Sequence, residues 1–92
     1  MAMIQKKILR KYFEEIQNGS KTFEVRLADF DIHEGDTLVL REWNDTTSSY
    51  TGRYLTVPVA YVFKTKDLEF WKKEEIVDLG LLVIGIGPSQ KV

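Results

Sequence analysis

The sequence predicts a small α+β domain whose sheet, mixed or antiparallel, curls toward a barrel. Its 92 residues are the length of a single domain. Four or five segments have strand-like patterning and are interrupted by one or two helical segments. The strands are mostly joined by short turns or hairpins instead of crossover helices, which favours a sheet of this type.

The first predicted element is an amphipathic helix over IQKKILRKYFEEIQNG, residues 4–19. Apolar residues recur at helical spacing, and charged residues fill most other positions. Asn18 and Gly19 form a C-terminal stop, because both tolerate the left-handed conformation that ends many helices. The predicted apolar face consists of Ile8, Leu9, Tyr12, Phe13 and Ile16.

A first strand is predicted at residues 21–27, and its alternation separates polar from apolar residues. The polar face consists of Thr22, Glu24 and Arg26. The apolar face consists of Phe23, Val25 and Leu27. We expect the apolar face to enter the core and the polar face, together with Lys21, to form a wall that faces a ligand.

The central part of the chain is predicted to form a hairpin of two strands, 37–43 and 53–63, around a long polar tip. The first half of the first strand is apolar on both faces, so we expect it to be covered on both sides. Before it, Phe30 and Ile32 pack down, and Gly35 and Asp36 make a turn. Leu55, Val57, Val59, Tyr61 and Phe63 alternate with the residues between them along the second strand. Pro58 lacks an N–H, which predicts an edge position or a bulge nearby.

The last part of the chain is predicted to contain a second helix and a buried closing strand. Residues 66–78 favour a short helix, with an extended insert as the alternative, and LLVIGIG at 81–87 favours the strand. We expect one domain over residues 1–92, with flexible ends at 1–4 and 88–92.

Composition excludes several classes of site. There is no cysteine, so neither disulfides nor cysteine-ligated zinc can form, and the single histidine, His33, leaves little for a histidine-based metal site or a Ser-His-Asp triad. The net charge of −1 restricts any nucleic-acid site to a local patch. The longest apolar run, 79–86, is too short to span a bilayer. We expect a cytoplasmic monomer without a metal, a cofactor or a membrane partner.

In chain order, the segments are a helix that ends in glycine, a Lys-Thr-x-Glu-x-Arg strand, a Gly-Asp turn, an Arg-Glu strand end, a Tyr-Thr-Gly-Arg segment and a closing apolar strand. They are Gly19, KTFEVR at 21–26, Gly35-Asp36, Arg41-Glu42, YTGR at 50–53 and LLVIGI at 81–86. Over nearly the whole chain, this order resembles the small bacterial and phage branch of the ASCH-like domains, in the PUA-like superfamily.

The resemblance implies a PUA-like pseudobarrel of five to six strands with one or two packed helices. It also implies RNA or nucleotide recognition in a cleft beside the KTFEVR strand. A related group resembles amidohydrolases that act on an acylated cytidine with the motif lysine and a threonine nucleophile. Glu24 stands at the position of that threonine in this sequence.

The candidate ligand-binding residues lie in these segments. They are Lys21, Thr22, Glu24, Arg26, Arg41, Trp43, Tyr50, Thr51, Gly52 and Arg53. Lysine and arginine bind phosphate, and exposed aromatic rings stack on the bases of single strands. We expect Lys21, Arg26 and Arg53 to contact phosphate, and Tyr50 and Trp43 to stack on a base.

Structural alternatives exist for several of these residues. Lys21 and Glu24 can form a surface ion pair worth ~0–1 kcal/mol. Arg26 can pair with Glu42 across neighbouring strands and only support the cleft wall. The backbone of Thr51-Gly52 can present N–H groups to an anion.

The leading hypothesis is a non-catalytic module that binds RNA, short single-stranded nucleic acid or a nucleotide in a cleft beside the KTFEVR strand and the YTGR segment. The alternative is a small hydrolase acting on modified nucleosides or RNA, with Lys21 and Glu24 as its acid and base. A third hypothesis is a regulatory protein that acts by protein contact through its charged helix face.

Overall fold

The computed structural model describes residues 1–67 and 80–89, so most of the predicted second helix, and the last three residues, lie outside the described residues. A short 3₁₀ turn at Thr65–Asp67 ends the first described range. The described residues form five strands and one α-helix: β1 (Met3–Leu9), α1 (Arg10–Gln17), β2 (Phe23–Leu27), β3 (Thr37–Asn44), β4 (Ser49–Lys64) and β5 (Leu81–Ile86).

The five strands form one mixed sheet in the order β1-β3-β4-β5-β2. β1 is parallel to β3, and the other neighbours are antiparallel. The sheet is open, which corrects the predicted pseudobarrel. In a closed barrel, backbone hydrogen bonds would join the edge strands β1 and β2. Here a side chain links them instead, because Arg26 Nη2 donates a hydrogen bond of 2.7 Å to the Lys7 carbonyl oxygen. The α+β class and the mixed sheet are confirmed.

The segment at 3–9 is a strand, which corrects the helix predicted from residue 4. β1 pairs with β3 from Met3↔Thr37 to Leu9↔Trp43, and this seven-residue ladder overrides a local pattern that also fits a helix. The α-helix begins at Arg10 and ends at Gln17. The predicted stop is confirmed, since Gly19 has a φ of 87°.

Because the helix is shorter, its predicted apolar face is divided. Ile8, Phe13 and Ile16 are buried in the core. Leu9 and Tyr12, predicted to join them, are partly exposed. Leu9 now ends a strand, and Tyr12 lies next to the edge of the sheet instead of over it.

β2 is inverted relative to its predicted orientation. Phe23, Val25 and Leu27 are each 47% exposed, whereas Glu24 is only 4% exposed. The cause is the register with β5, which pairs Glu24 with Ile84 and places the carboxylate on the same side as that buried side chain. Since a shift of one residue exchanges the two faces of a strand, pairing decides the orientation and local hydrophobicity does not.

The predicted central hairpin is confirmed, with longer strands and a shorter tip. The three central apolar residues of β3, Leu38 to Leu40, are all buried, as expected for a strand covered on both faces. The tip is a four-residue turn at 45–48. The side-chain oxygen of Asn44, just before it, accepts hydrogen bonds from the backbone N–H groups of Thr46 and Thr47.

β4 is irregular between Val59 and Tyr61, close to Pro58, as the missing N–H predicts. The irregularity changes the alternation that the sequence predicts along this strand. Tyr61 is exposed, and Val62 turns toward the core.

The turn before β3 binds the first residues of the chain through hydrogen bonds. Asp36 is buried, and its carboxylate accepts hydrogen bonds from the backbone N–H groups of Ala2 at 3.0 Å and His33 at 2.9 Å. Gly35 has a φ of 92°, which suits the predicted turn. Residues 1–4, predicted to be flexible, therefore include an anchored Ala2 and the beginning of β1.

Candidate functional site

Three charged residues of the KTFEVR segment form one cluster around the buried Glu24. The Glu24 Oε1 accepts a bond from Lys21 Nζ at 2.6 Å, and Oε2 accepts one from Arg26 Nε at 2.8 Å. Lys21 Nζ also donates to the Phe23 carbonyl oxygen at 2.7 Å. The sequence predicts that these three residues come together. It does not predict that Glu24 lies on the core side of the sheet.

The cluster carries one more positive charge than negative charges. The side chains of Lys21 and Arg26 are 16% and 22% exposed, so this charge is largely desolvated. The two residues have eight N–H donors between them, and the contacts described here use four. Donors therefore remain for an anionic group, which would neutralise the excess charge.

The cluster lies beside a pocket of about 540 Å³ between the two edge strands. The pocket has a charged part and an apolar part. Its lining residues are Lys7, Ile8, Leu9, Tyr12, Lys21, Phe23, Glu24, Val25 and Arg26. A concave apolar site with a few convergent polar groups is the usual form of a small-ligand site. This site suits a ligand with an anionic group and an apolar or aromatic body.

A second buried carboxylate, Glu42, holds the YTGR segment. Its Oε1 accepts bonds from Thr51 Oγ1 at 2.5 Å and Arg53 Nε at 2.9 Å, and its Oε2 accepts one from Arg53 Nη2 at 2.5 Å. The Arg53 guanidinium also lies 4.6 Å from the centre of the Phe13 ring. The predicted pair between Arg26 and Glu42 is wrong, because β2 and β3 are not neighbours in the sheet.

A second pocket, of about 650 Å³, lies beside Glu42 and Arg53. Leu9 lines both this pocket and the first one. The KTFEVR and YTGR segments thus line two adjoining pockets, with the end of β1 between them. Sequence reasoning missed the residues at this junction because it placed β1 in a helix. The missed residues are Lys7, Leu9, Arg10 and Tyr12.

Of the remaining predicted residues, Trp43 also lines the pocket beside Glu42, and the others lie outside both pockets. Arg41 and Trp43 alternate with the buried residues Leu40 and Glu42 along β3, so they point away from the core. Tyr50 faces Trp43 across the hairpin and is exposed, as predicted. Thr22 and Gly52 are also exposed.

A family model described as a domain of unknown function, DUF3850, matches residues 5–81. The chain belongs to the DUF3850 family. A curated relative, the "Uncharacterized 12.9 kDa protein in GpA 3'region" of Escherichia phage P2, is 33% identical to it over 71 residues. The match covers 77% of this chain and 61% of the phage protein, so the DUF3850 chain spans less than two thirds of that relative's length.

A solved structure resembles the DUF3850 chain along nearly its whole length. It is described as the crystal structure of hypothetical protein PH0355, and it superposes with a TM-score of 0.64 at 19% sequence identity. The superposition covers 96% of this chain and 99% of the other. At this identity the likeness shows a shared fold and nothing about activity.

In the DUF3850 cluster, neither oxygen of Glu24 is left without a cation partner. A general base needs an oxygen that faces the proton it removes. Both oxygens of Glu24 already accept bonds from cations, and the residue is buried. The hydrolase alternative stays a prediction, and no contact in the described residues favours it.

The described part of the DUF3850 chain contains neither a cluster of metal ligands nor a membrane-spanning helix. Within residues 1–67 and 80–89, no group of three or more histidines or carboxylates is placed to hold a metal ion. No helix in the same ranges is long and apolar enough to cross a membrane.

Acid is expected to destabilise the DUF3850 domain partly through Glu42. The Arg53 bonds, and then the Thr51 hydroxyl, hold the pKa of the Glu42 carboxyl below its usual range, against the opposing effect of burial. A lowered folded-state pKa gives stability that is complete above the unfolded-state pKa and is lost as the pH falls through the folded-state value. Urea unfolding should therefore show a free energy that declines below about pH 4.3.

The control for this prediction is Glu42→Gln, which cannot ionise and should show a smaller decline in the same pH range. Some decline should remain, because the N–H groups of Ala2 and His33 also lower the pKa of Asp36. Equal declines in the wild type and Glu42→Gln would contradict the prediction.

Proposed function

We propose that the protein is a non-catalytic module that binds RNA or a nucleotide in the pocket beside the KTFEVR strand. The observation that carries the proposal is the buried Lys21–Glu24–Arg26 cluster with its unneutralised positive charge. A phosphate would accept the remaining donors of Lys21 and Arg26, and Glu24 would hold both cations in place.

The rest of the pocket fits the same ligand. Tyr12 lies close to the cluster, with Lys21 Nζ 5.5 Å from its ring centre, and gives a base or sugar an apolar surface. Arg53 lies in the adjoining pocket with 46% of its side chain exposed, where it can bind a second phosphate. The resemblance of the signature segments to ASCH-like domains of the PUA-like superfamily also supports RNA or nucleotide recognition.

The test is fluorescence anisotropy with short labelled RNA and single-stranded DNA at low salt, with unlabelled nucleotides as competitors. Lys21→Ala removes a charged hydrogen bond and is expected to weaken binding about 10- to 100-fold. The matched control is Lys66→Ala, which removes an exposed lysine far along the chain from the site and should leave binding unchanged. No binding at low salt, or equal binding by Lys21→Ala and wild type, would overturn the proposal.

The salt dependence of binding gives a second readout. The net charge of −1 and the small charge excess of the cluster favour only one or two phosphate contacts. Each contact with a single strand contributes about −0.7 to the slope of log affinity against log salt. A shallow slope of roughly −0.7 to −1.4 is therefore expected.

A further inference from the structure

A row of aromatic and basic side chains lies on the outer face of β1, β3 and β4. The members on β1 and β3 alternate with buried residues and so point away from the core, and the two on β4 are the cross-strand partners of Trp43 and Arg41. The outer row consists of Lys7, Arg41, Trp43, Tyr50 and Tyr54. It lies on the opposite face of the sheet from Glu24, which points to the core side.

Contacts within the outer row hold its rings in place. Lys7 Nζ lies 3.8 Å from the centre of the Trp43 ring, and Trp43 meets Tyr50 edge to face at 5.0 Å. The Arg41 guanidinium lies 3.9 Å from the centre of the Tyr50 ring. Rings that are already ordered lose little conformational entropy when a ligand binds, and a stacked guanidinium offers its second face to another planar group.

The outer row borders a pocket of about 490 Å³ that Tyr50, Gly52 and Tyr54 line together. Both tyrosines are exposed, and Gly52 between them has a φ of 96°. A Cβ placed on Gly52 would meet no atom within 4 Å, so the space above its backbone is open. The open space at Gly52 leaves room beside the two rings for a flat group such as a nucleobase.

The charge of this pocket also favours nucleic acid. Its lining residues include two arginines, Arg41 and Arg53, and no carboxylate. Arg53 also lines the pocket beside Glu42, which in turn shares Leu9 with the pocket beside Glu24. Shared lining residues thus link the three pockets in turn, Leu9 between the first two and Arg53 between the second and the outer one.

We propose that the outer row is a stacking surface for single-stranded nucleic acid, so that the ligand is a strand of several nucleotides and not a free nucleotide. The proposal rests on the proposed function, because it takes nucleic acid as the ligand. It adds a second contact surface, on the other side of the sheet, that a single nucleotide in the inner cleft cannot reach.

The test compares the affinity of a uridine nucleotide with that of uridine oligonucleotides up to about ten nucleotides long, as RNA and as DNA. For the wild type, affinity should rise with length. In a Tyr50→Ala/Tyr54→Ala double variant, the affinity for the longest strand should fall about 5- to 100-fold, while the affinity for the mononucleotide stays the same. Tyr61→Ala is the matched control, since it removes an exposed tyrosine from the far half of the same strand.

Arg41→Gln is a second variant, which removes a cation from the outer row and keeps every ring. This variant should also lower the affinity for the longest strand and leave the affinity for the mononucleotide unchanged.

Two results would overturn the proposal. One is an affinity that does not depend on strand length. The other is an affinity for the longest strand that neither the double variant nor Arg41→Gln lowers. A different result would contradict the proposed function: Lys21→Ala would bind the mononucleotide with the same affinity as the wild type. RNA and DNA series of equal affinity would show that the surface reads bases and not the 2′-hydroxyl.

Discussion

Replacing Glu24 with alanine is expected to lower the free energy of unfolding by about 3 kcal/mol. The substitution removes the carboxylate that both Lys21 and Arg26 bind. Two largely buried cations would then face each other without a counter-charge, which is the costly way to break a buried ion pair. Urea unfolding at neutral pH, followed by circular dichroism, measures the loss.

The neighbouring residue on the other face of the same strand supplies the control. Val25→Ala should cost less than about 1 kcal/mol, because nearly half of the valine is already exposed. If β2 had the orientation that its hydrophobic pattern predicts, the order of the two costs would be reversed. A larger loss for Val25→Ala than for Glu24→Ala would contradict the inverted strand.

Phe13→Ala is expected to destabilise the protein by about 4 kcal/mol, the largest effect of a single substitution considered for this chain. Phe13 is among the largest fully buried side chains and packs α1 against the sheet. Its ring also contacts the guanidinium of Arg53. Removing it therefore leaves a cavity under the helix and one side of the Glu42–Arg53 pair without support. Thermal and urea unfolding both measure the loss.

Tyr12→Ala is the control on the same helix. Its ring is partly exposed at the pocket, and its removal should cost about 1 kcal/mol or less. Equal losses for the two aromatic residues would indicate a helix packed on the broader face that the sequence alone predicts.

The features that the sequence predicts correctly depend on local signals. The helix stop at Asn18-Gly19, the turn at Gly35-Asp36 and the irregularity near Pro58 each follow from the backbone preferences of one or two residues. The central hairpin follows from alternation over two neighbouring segments. The proximity of Lys21, Glu24 and Arg26 also follows from local spacing, because all three lie within six residues.

The features that it predicts wrongly depend on pairing between distant segments. β1 is a strand because it pairs with β3, whose residues lie 34 positions later in the chain. The local pattern of 3–9 predicts a helix, and the pairing with β3 overrides it. The same holds for β2, where pairing with β5 turns a carboxylate inward, and two cations make that burial tolerable.

The misplacement of β1 also explains why the candidate site is only partly predicted. With a helix in this position, the KTFEVR and YTGR segments were expected to face one cleft. The end of β1 lies between them, and it adds Lys7 and Leu9 to the site. The aromatic residues of the hairpin lie on the opposite face of the sheet, which only the alternation of β3 against its buried neighbours establishes.

The central claim, that the Lys21–Glu24–Arg26 cluster receives a phosphate, is tested most directly by a ¹H–¹⁵N NMR titration with uridine monophosphate, and with uridine as the control that lacks the phosphate. With the monophosphate, saturable shifts are expected for the backbone amide signals of residues 21–26 and of Lys7 and Leu9, and much smaller shifts are expected with uridine. If these signals stay unmoved at saturating monophosphate, or move equally with uridine, the claim is contradicted.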